Sequence, residues 1–283
     1  MLASRRPFHL VLMLAAVLGA AMPAAVRAQG KLDAHYTMTL AGIPIGKGHW
    51  AVDITDTHFM AAASGATTGL IHAFTGGEGT SAARGTLHAG QVMSSIFASS
   101  IVASHKSDDV RLTVTNGVVT EAKLDPPIEI EPDRVQITDE HRKGVLDPMT
   151  ASLMRTPGTD NPLSPQACQR TMAIFDGRMR YDLQFTFKRM DHVKAEKGYA
   201  GPVVVCAVYF SPVAGYIPSR SAIRYIARLR EIEVWLAPIA GTRVLVPYRA
   251  QGPTPIGKVV LEATQFVSAP ISTRASANGS KTQ

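Results

Sequence analysis

Alternation of apolar and polar residues at a period of two dominates this chain. Ala34, Tyr36, Met38 and Leu40 alternate with Asp33, His35, Thr37 and Thr39, and Trp50, Val52 and Ile54 carry a second such run. A period of two sends successive side chains to opposite faces of a strand, so each run offers one face to a core and one to water. Further β-like runs are SSIFASSIVAS, VRLTVTNGVVTEAKL, GPVVVCAVYF, IEVWLA, RVLVPYRA and KVVLEATQF. Turn chemistry separates them. AGIPIG, with Gly42, Pro44 and Gly46, falls between the first two runs. Asn116–Gly117 is a two-residue hairpin signal, because both turn positions want positive φ. Alternation across that hairpin is imperfect, which admits a bulge.

Helix signals are few. In LDPMTASLMR, Asp147 can cap free amides and Pro148 suits the first helical position, so a short helix is expected there, ending before Pro157. SAIRYIARLR fits a helical face or a strand equally. No internal repeat or domain linker interrupts the chain. The expectation is a mainly β protein. It has one large curved antiparallel sheet of roughly a dozen strands, curled into a barrel, a half-barrel or a two-layer sandwich, with one or two short helices.

The stretch IFDGRMRYDLQFTF, 174–187, sets two acids and two arginines around a glycine. With a two-residue turn at Asp176–Gly177, Phe175 pairs with Arg178 and Ile174 with Met179. Tyr181, Leu183, Phe185 and Phe187 then share an apolar face with Met172 and Ile174. Unbroken alternation plus an Asp-Gly turn reads as a hairpin with one buried face, with Arg178 and Arg180 on its wet face, rather than as a catalytic loop.

Residues 1–28 read as a secretory leader: basic SRRPFHL, then an apolar stretch, then a small residue, Ala28, before Gln29. Cleavage after Ala28 would remove Arg5, Arg6 and Arg27 and lower the formal charge by three, from +7 to +4. Arg5–Arg6 also loosely matches a twin-arginine signal. The mature chain is mildly basic, which points away from nucleic acid and permits an anionic lipid or glycan partner. Residues 29–267 then form a single β-rich domain with no membrane span, and the small, polar residues 268–283 form a disordered tail.

Cys168 and Cys206 are the two cysteines, and in an oxidising compartment two cysteines suggest one disulfide; two buried free thiols are the alternative. Two cysteines cannot cage a zinc ion alone, and the histidines lie scattered, so neither metal nor cofactor is expected. No nucleophile elbow, metalloprotease motif or phosphate loop occurs. Tyr216, Arg220, Arg224 and Trp235 belong to an arginine–aromatic cluster that could hold a glycan, phosphate or lipid headgroup; a solvated basic face is the bland alternative.

In order along the chain, AGIPIGKG, GVLDPMTASL, IFDGRMRYDLQF, GPVVVCAVYFSPVAGYIP, EVWLAP and LVPYRA…TPIGKVVLEATQF resemble the exported bacterial family called domain of unknown function 3108, over about Leu32 to Phe266. The resemblance implies a periplasmic protein of Gram-negative bacteria with a largely antiparallel β fold, similar in style to periplasmic lipoprotein carriers. It brings no catalytic residues. LDP at 146–148, FDG at 175–177 and the two cysteines match the family pattern, as fold requirements or as a site. The expected function is therefore a non-catalytic envelope protein that binds or carries a lipid or glycan in a concave sheet. The alternatives are an envelope polysaccharide or ester hydrolase using Asp147, Asp176 or Asp182, and an assembly partner of an envelope complex.

Overall fold

In the computed structural model the described residues are 29–271, apart from 70, 71, 73–75, 89, 90, 105 and 159. The expected leader and residues 272–283 lie outside that set.

Fifteen strands make one sheet: β1 (Gly30–Leu40), β2 (Ile43–Ile54), β3 (His58–Thr67), β4 (Glu78–His88), β5 (Gln91–Ala103), β6 (Lys106–Thr115), β7 (Val118–Asp125), β8 (Met154–Arg155), β9 (Arg170–Phe175), β10 (Arg180–Lys194), β11 (Lys197–Gly198), β12 (Ala200–Ala214), β13 (Glu233–Pro238), β14 (Val244–Thr254) and β15 (Gly257–Pro270). Their order is β7-β6-β5-β4-β3-β2-β1-β15-β14-β13-β12-β10-β9, antiparallel at every step along that path. The short β8 and β11 pair with β14 and β15.

The barrel is not closed. Its edges are β7 and β9, and among the described residues no strand pairing joins them directly. An extended segment between them, 143–146, carries one bridge to each: Lys143 opposite Val118 and Leu146 beside Ile174. The Leu146 amide donates to the Ala173 carbonyl and the Phe175 amide to the Leu146 carbonyl.

The two halves of the sheet bury their faces differently. From β1 to β7, alternation holds: Leu32, Ala34, Tyr36, Trp50, Val52, Phe59, Phe97 and Leu112 enter one core, and the intervening polar residues face water. From β9 to β14 both faces are covered. Val203 and Val205 join the first core, while Val204, Cys206 and Val208 enter a second one with Met172, Ile174, Phe185 and Leu236. That is why the VVVCAV run is apolar without interruption. The chain around Ala151–Cys168 covers this second face. A disulfide between Cys168 and Cys206, with Cα atoms 5.4 Å apart, pins it to β12.

Several expectations shift in register. The β1–β2 turn is only Ala41–Gly42, both at positive φ, and Pro44 and Gly46 lie inside β2. Asn116–Gly117 makes the tight β6–β7 turn, with φ of 50° and 74°, and the ladder slips between Thr113 and Val114. SAIRYIARLR resolves as a helix over Ser221–Arg228. Strand β15 continues through Ser268 to Pro270, opposite Gly30, so residues 268–270, expected in a disordered tail, belong to the sheet.

The 174–187 hairpin forms, but Phe175 pairs with Arg180 and Ile174 with Tyr181. The loop therefore holds four residues rather than two. A slip of two keeps the paired residues on their expected faces, so Met172, Ile174 and Phe185 still share the second core, but Met179 falls in the loop and Phe187, expected on the buried face, is 38% exposed beside a bulge. Arg178 and Arg180 are not free on a solvated face: both are half-buried and ion-paired, with side chains 25% and 14% exposed. The loop tip docks on β6 and β7, where a Cβ at Gly177 would lie 2.7 Å from Val110 and 3.0 Å from Leu124. Arg180 pairs with Asp182 at 2.8 Å.

Candidate functional site: an interior cleft under the short helix

Inside the curve of β1–β7 lies a cleft of about 570 Å³. Tyr36, Trp50, Phe97, Val110, Met149 and Leu261 give it apolar walls. One side is covered by the helix Pro148–Ala151, with Pro148, Met149 and Ser152 in the lining, and by the 176–178 turn.

The helix is held by Asp147, which is 1% exposed. One carboxylate oxygen accepts the amides of Met149 (3.0 Å) and Thr150 (2.9 Å). The other accepts the hydroxyls of Ser94 and Thr150, each at 2.5 Å. Ser94 reaches it because β5 carries a bulge against β4, where Arg84 pairs with Ile96 but Gly85 with Ser94. A bulge re-aims a side chain, and here it turns Ser94 inward. Burial pushes the Asp147 carboxyl above the ordinary carboxylate range, although Ser94, Thr150 and the two amides oppose it. The cap expected of Asp147 and Pro148 is thus present.

Asp176 serves its turn in the same way. Its Oδ1 accepts the amides of Arg178 (2.8 Å) and Met179 (2.7 Å). Burial raises its carboxyl too, against those amides and the Arg178 charge. At the rim, Arg178 donates from Nε (3.1 Å) and Nη2 (2.9 Å) to Asp108 Oδ1, and from Nη2 to the Pro126 carbonyl. This pair spans the distance from the β9–β10 loop to β6. Its side chains are 25% and 47% exposed, so the rim is partly open to water. Tyr36 donates its hydroxyl to the Pro247 carbonyl at 2.7 Å, and burial holds that phenol protonated far above its ordinary range.

The four residues expected to hold a ligand are not gathered here, and none lines this cleft. Arg220 pairs with Glu131 at 2.9 Å, and Arg224 donates to the carbonyls of Pro218 and Ser219. Tyr216 is half-buried just before their helix. Trp235 lies in the first core. Its indole N–H donates to Asp191 at 2.9 Å, and the guanidinium groups over its ring come from Arg189 (5.2 Å) and Arg249 (4.9 Å). Beside it, burial acts to raise the Glu233 carboxyl, but Lys188 and Arg189 outweigh that and hold it below its ordinary range. Sequence proximity misplaced this cluster because the neighbours of Trp235 arrive from β10 and β14. The cleft itself was missed because its lining comes from positions scattered over more than 200 residues; the only local signal was the inward face of each alternating run.

These features define a class: an open, barrel-like antiparallel β protein with a mainly apolar interior cleft bordered by a capped helix and a charged hairpin tip. Within that class, the chain belongs to the family described as "Protein of unknown function (DUF3108)", whose model matches residues 35–264. Among solved structures it is similar to a beta-barrel-like protein of domain of unknown function DUF1849 from Brucella abortus, at 11% identity. The TM-score is 0.45, with 86% of this chain and 99% of that one covered. A search of curated proteins finds no match. No helix among the described residues is long and apolar enough to cross a membrane.

Proposed function

We propose that this protein is exported to the periplasm after cleavage at Ala28 and there carries a lipid of the cell envelope. The apolar chain of the lipid lies in the interior cleft, and its anionic headgroup lies at the rim beside Arg178. One observation carries the reading: a cleft of about 570 Å³ with a mainly apolar lining, crossed by the small hydroxyls of Ser64, Ser81 and Ser99, whose ion pair, Arg178–Asp108, stands at a partly exposed rim. Small-molecule sites have this size and this division of labour. A lipid fits better than a glycan, because Tyr36, Trp50, Phe97, Met149 and Leu261 offer contact area rather than hydrogen bonds. Arg178 uses Nε and Nη2 on Asp108 and Pro126, which leaves Nη1 for a phosphate or carboxylate oxygen. The carboxylates a hydrolase would need are engaged in the fold: Asp147 in its cap, Asp176 in its turn and Asp182 with Arg180.

The test is native mass spectrometry of protein recovered from its own periplasm, followed by organic extraction. The parent protein is expected to bring down about one lipid per chain. Ser99→Trp, which fills the cleft from β5, is expected to bring down none while keeping its disulfide and β circular dichroism. A bare mass in the parent, together with no uptake of envelope phospholipid from vesicles, would sink the proposal.

A further inference from the structure

We propose that Asp33, His35 and His49 form a binding site for a divalent transition metal ion, with zinc the ion their chemistry fits best. The β1–β2 ladder sets His35 directly opposite His49, and Asp33 follows two residues along β1 on the same outward face. The histidines, scattered in the sequence, are thus brought together by strand register. One ligand atom from each of the three residues lies within 4.8 Å of the others. His49 Nε2 is 3.1 Å from Asp33 Oδ2, His35 Nε2 is 3.5 Å from Asp33 Oδ1, and the two rings are 4.8 Å apart.

Two imidazoles and one carboxylate are the ligand types zinc takes in three-ligand sites that keep a position open. Bonds of about 2.0–2.1 Å in a tetrahedral site need ligand atoms about 3.4 Å apart. The His49 Nε2–Asp33 Oδ2 separation of 3.1 Å is close to this, and turning the exposed His35 ring, whose nitrogen now lies nearer the other oxygen, Oδ1, brings in the third ligand. Support from behind the ligands is also present. Gln265, on β15, donates its amide N–H to Asp33 Oδ1 at 2.6 Å, which fixes the carboxylate and leaves Oδ2 turned toward His49. Groups in this position orient ligands in metal sites. His35 and His49 also line an outer groove of about 550 Å³, which shares His49, Gly48 and Ser64 with the lining of the interior cleft.

The experiment titrates zinc chloride into tag-free mature protein by calorimetry. One ion per chain is expected to bind the parent. Asp33→Asn and the double variant His35→Ala/His49→Ala are each expected to weaken binding at least tenfold. Asp33 and His35 are exposed and His49 is half-buried. Metal-free urea unfolding of each variant should show a full cooperative transition, with Asp33→Asn losing at most the small contribution of its lowered carboxyl, which shows that loss of the fold is not the cause. Zinc should raise the parent's unfolding midpoint and leave that of the double variant unmoved. No heat of binding in the parent, or less than a tenfold loss in the double variant, overturns the proposal. His49 also borders the interior cleft, so lipid recovery from the Asp33→Asn variant, which leaves the cleft lining intact, keeps the two readings distinguishable.

Discussion

Asp147 shows how one side chain can carry several constraints. It satisfies two amides at a helix start and two hydroxyls, one of them from a strand 53 residues away. Asp147→Ala would strand those donors in a dry site. A loss of about 2–4 kcal/mol is expected by urea unfolding. The pH dependence has a definite sign. Burial raises this carboxyl, so just above the ordinary carboxylate range the native state holds a proton that the unfolded chain has lost. Stability from this group therefore falls as pH rises through that window, and Asp176 adds in the same direction. Asp33, Asp191 and Glu233 are lowered instead, so their contribution is present above the ordinary range and is lost only at lower pH. Unfolding measured from about pH 4 to pH 8 should show a negative slope in the parent and a flatter one in Asp147→Asn.

At the level of elements, two glycines in one strand make opposite predictions. A Cβ at Gly85 would sit 1.9 Å from the Met93 carbonyl oxygen and 2.5 Å from the Phe59 ring. The Met93 clash is with backbone, at the bulge that aims Ser94, so relief would undo the Asp147 cap as well. Gly85→Ala should lose about 3 kcal/mol or more of unfolding free energy, or fail to accumulate. Gly79 lies in the same strand, and a Cβ there would meet nothing closer than 3.4 Å. Gly79→Ala should be neutral or gain up to about 0.5–1 kcal/mol. Much of this scale was legible in sequence. The alternating runs became strands, Asn116–Gly117 became a tight turn, and LDP became a capped helix start. The Asp176–Gly177 register was not legible, because the loop length is set by what its tip packs on. Val110, Leu112 and Leu124 come from strands more than 50 residues earlier.

For the whole molecule, the decisive arrangement is a sheet wet on one face in its first half and covered on both in its second. The Cys168–Cys206 bridge holds the covering segment down, and both cysteines are fully buried. Closing a loop of 38 residues is worth about 3–4 kcal/mol in chain entropy. The Cys168→Ser/Cys206→Ser variant should lose about that much. Hydrogen exchange should rise first in 151–168 and β9, before β1–β7.

Period-two alternation, turn residues and an interrupted helix signal were enough for strand identity, antiparallel pairing and fold class, because each depends on neighbours a few residues apart. Trp235 drew its charged neighbours from β10 and β14 rather than from the nearby arginines, and the cleft and the Asp33–His35–His49 group emerged, because those depend on which strands lie side by side. Strand order, bulges and the docking of one loop tip on a distant pair of strands are settled by packing across the whole sheet. No local window of residues contains that information.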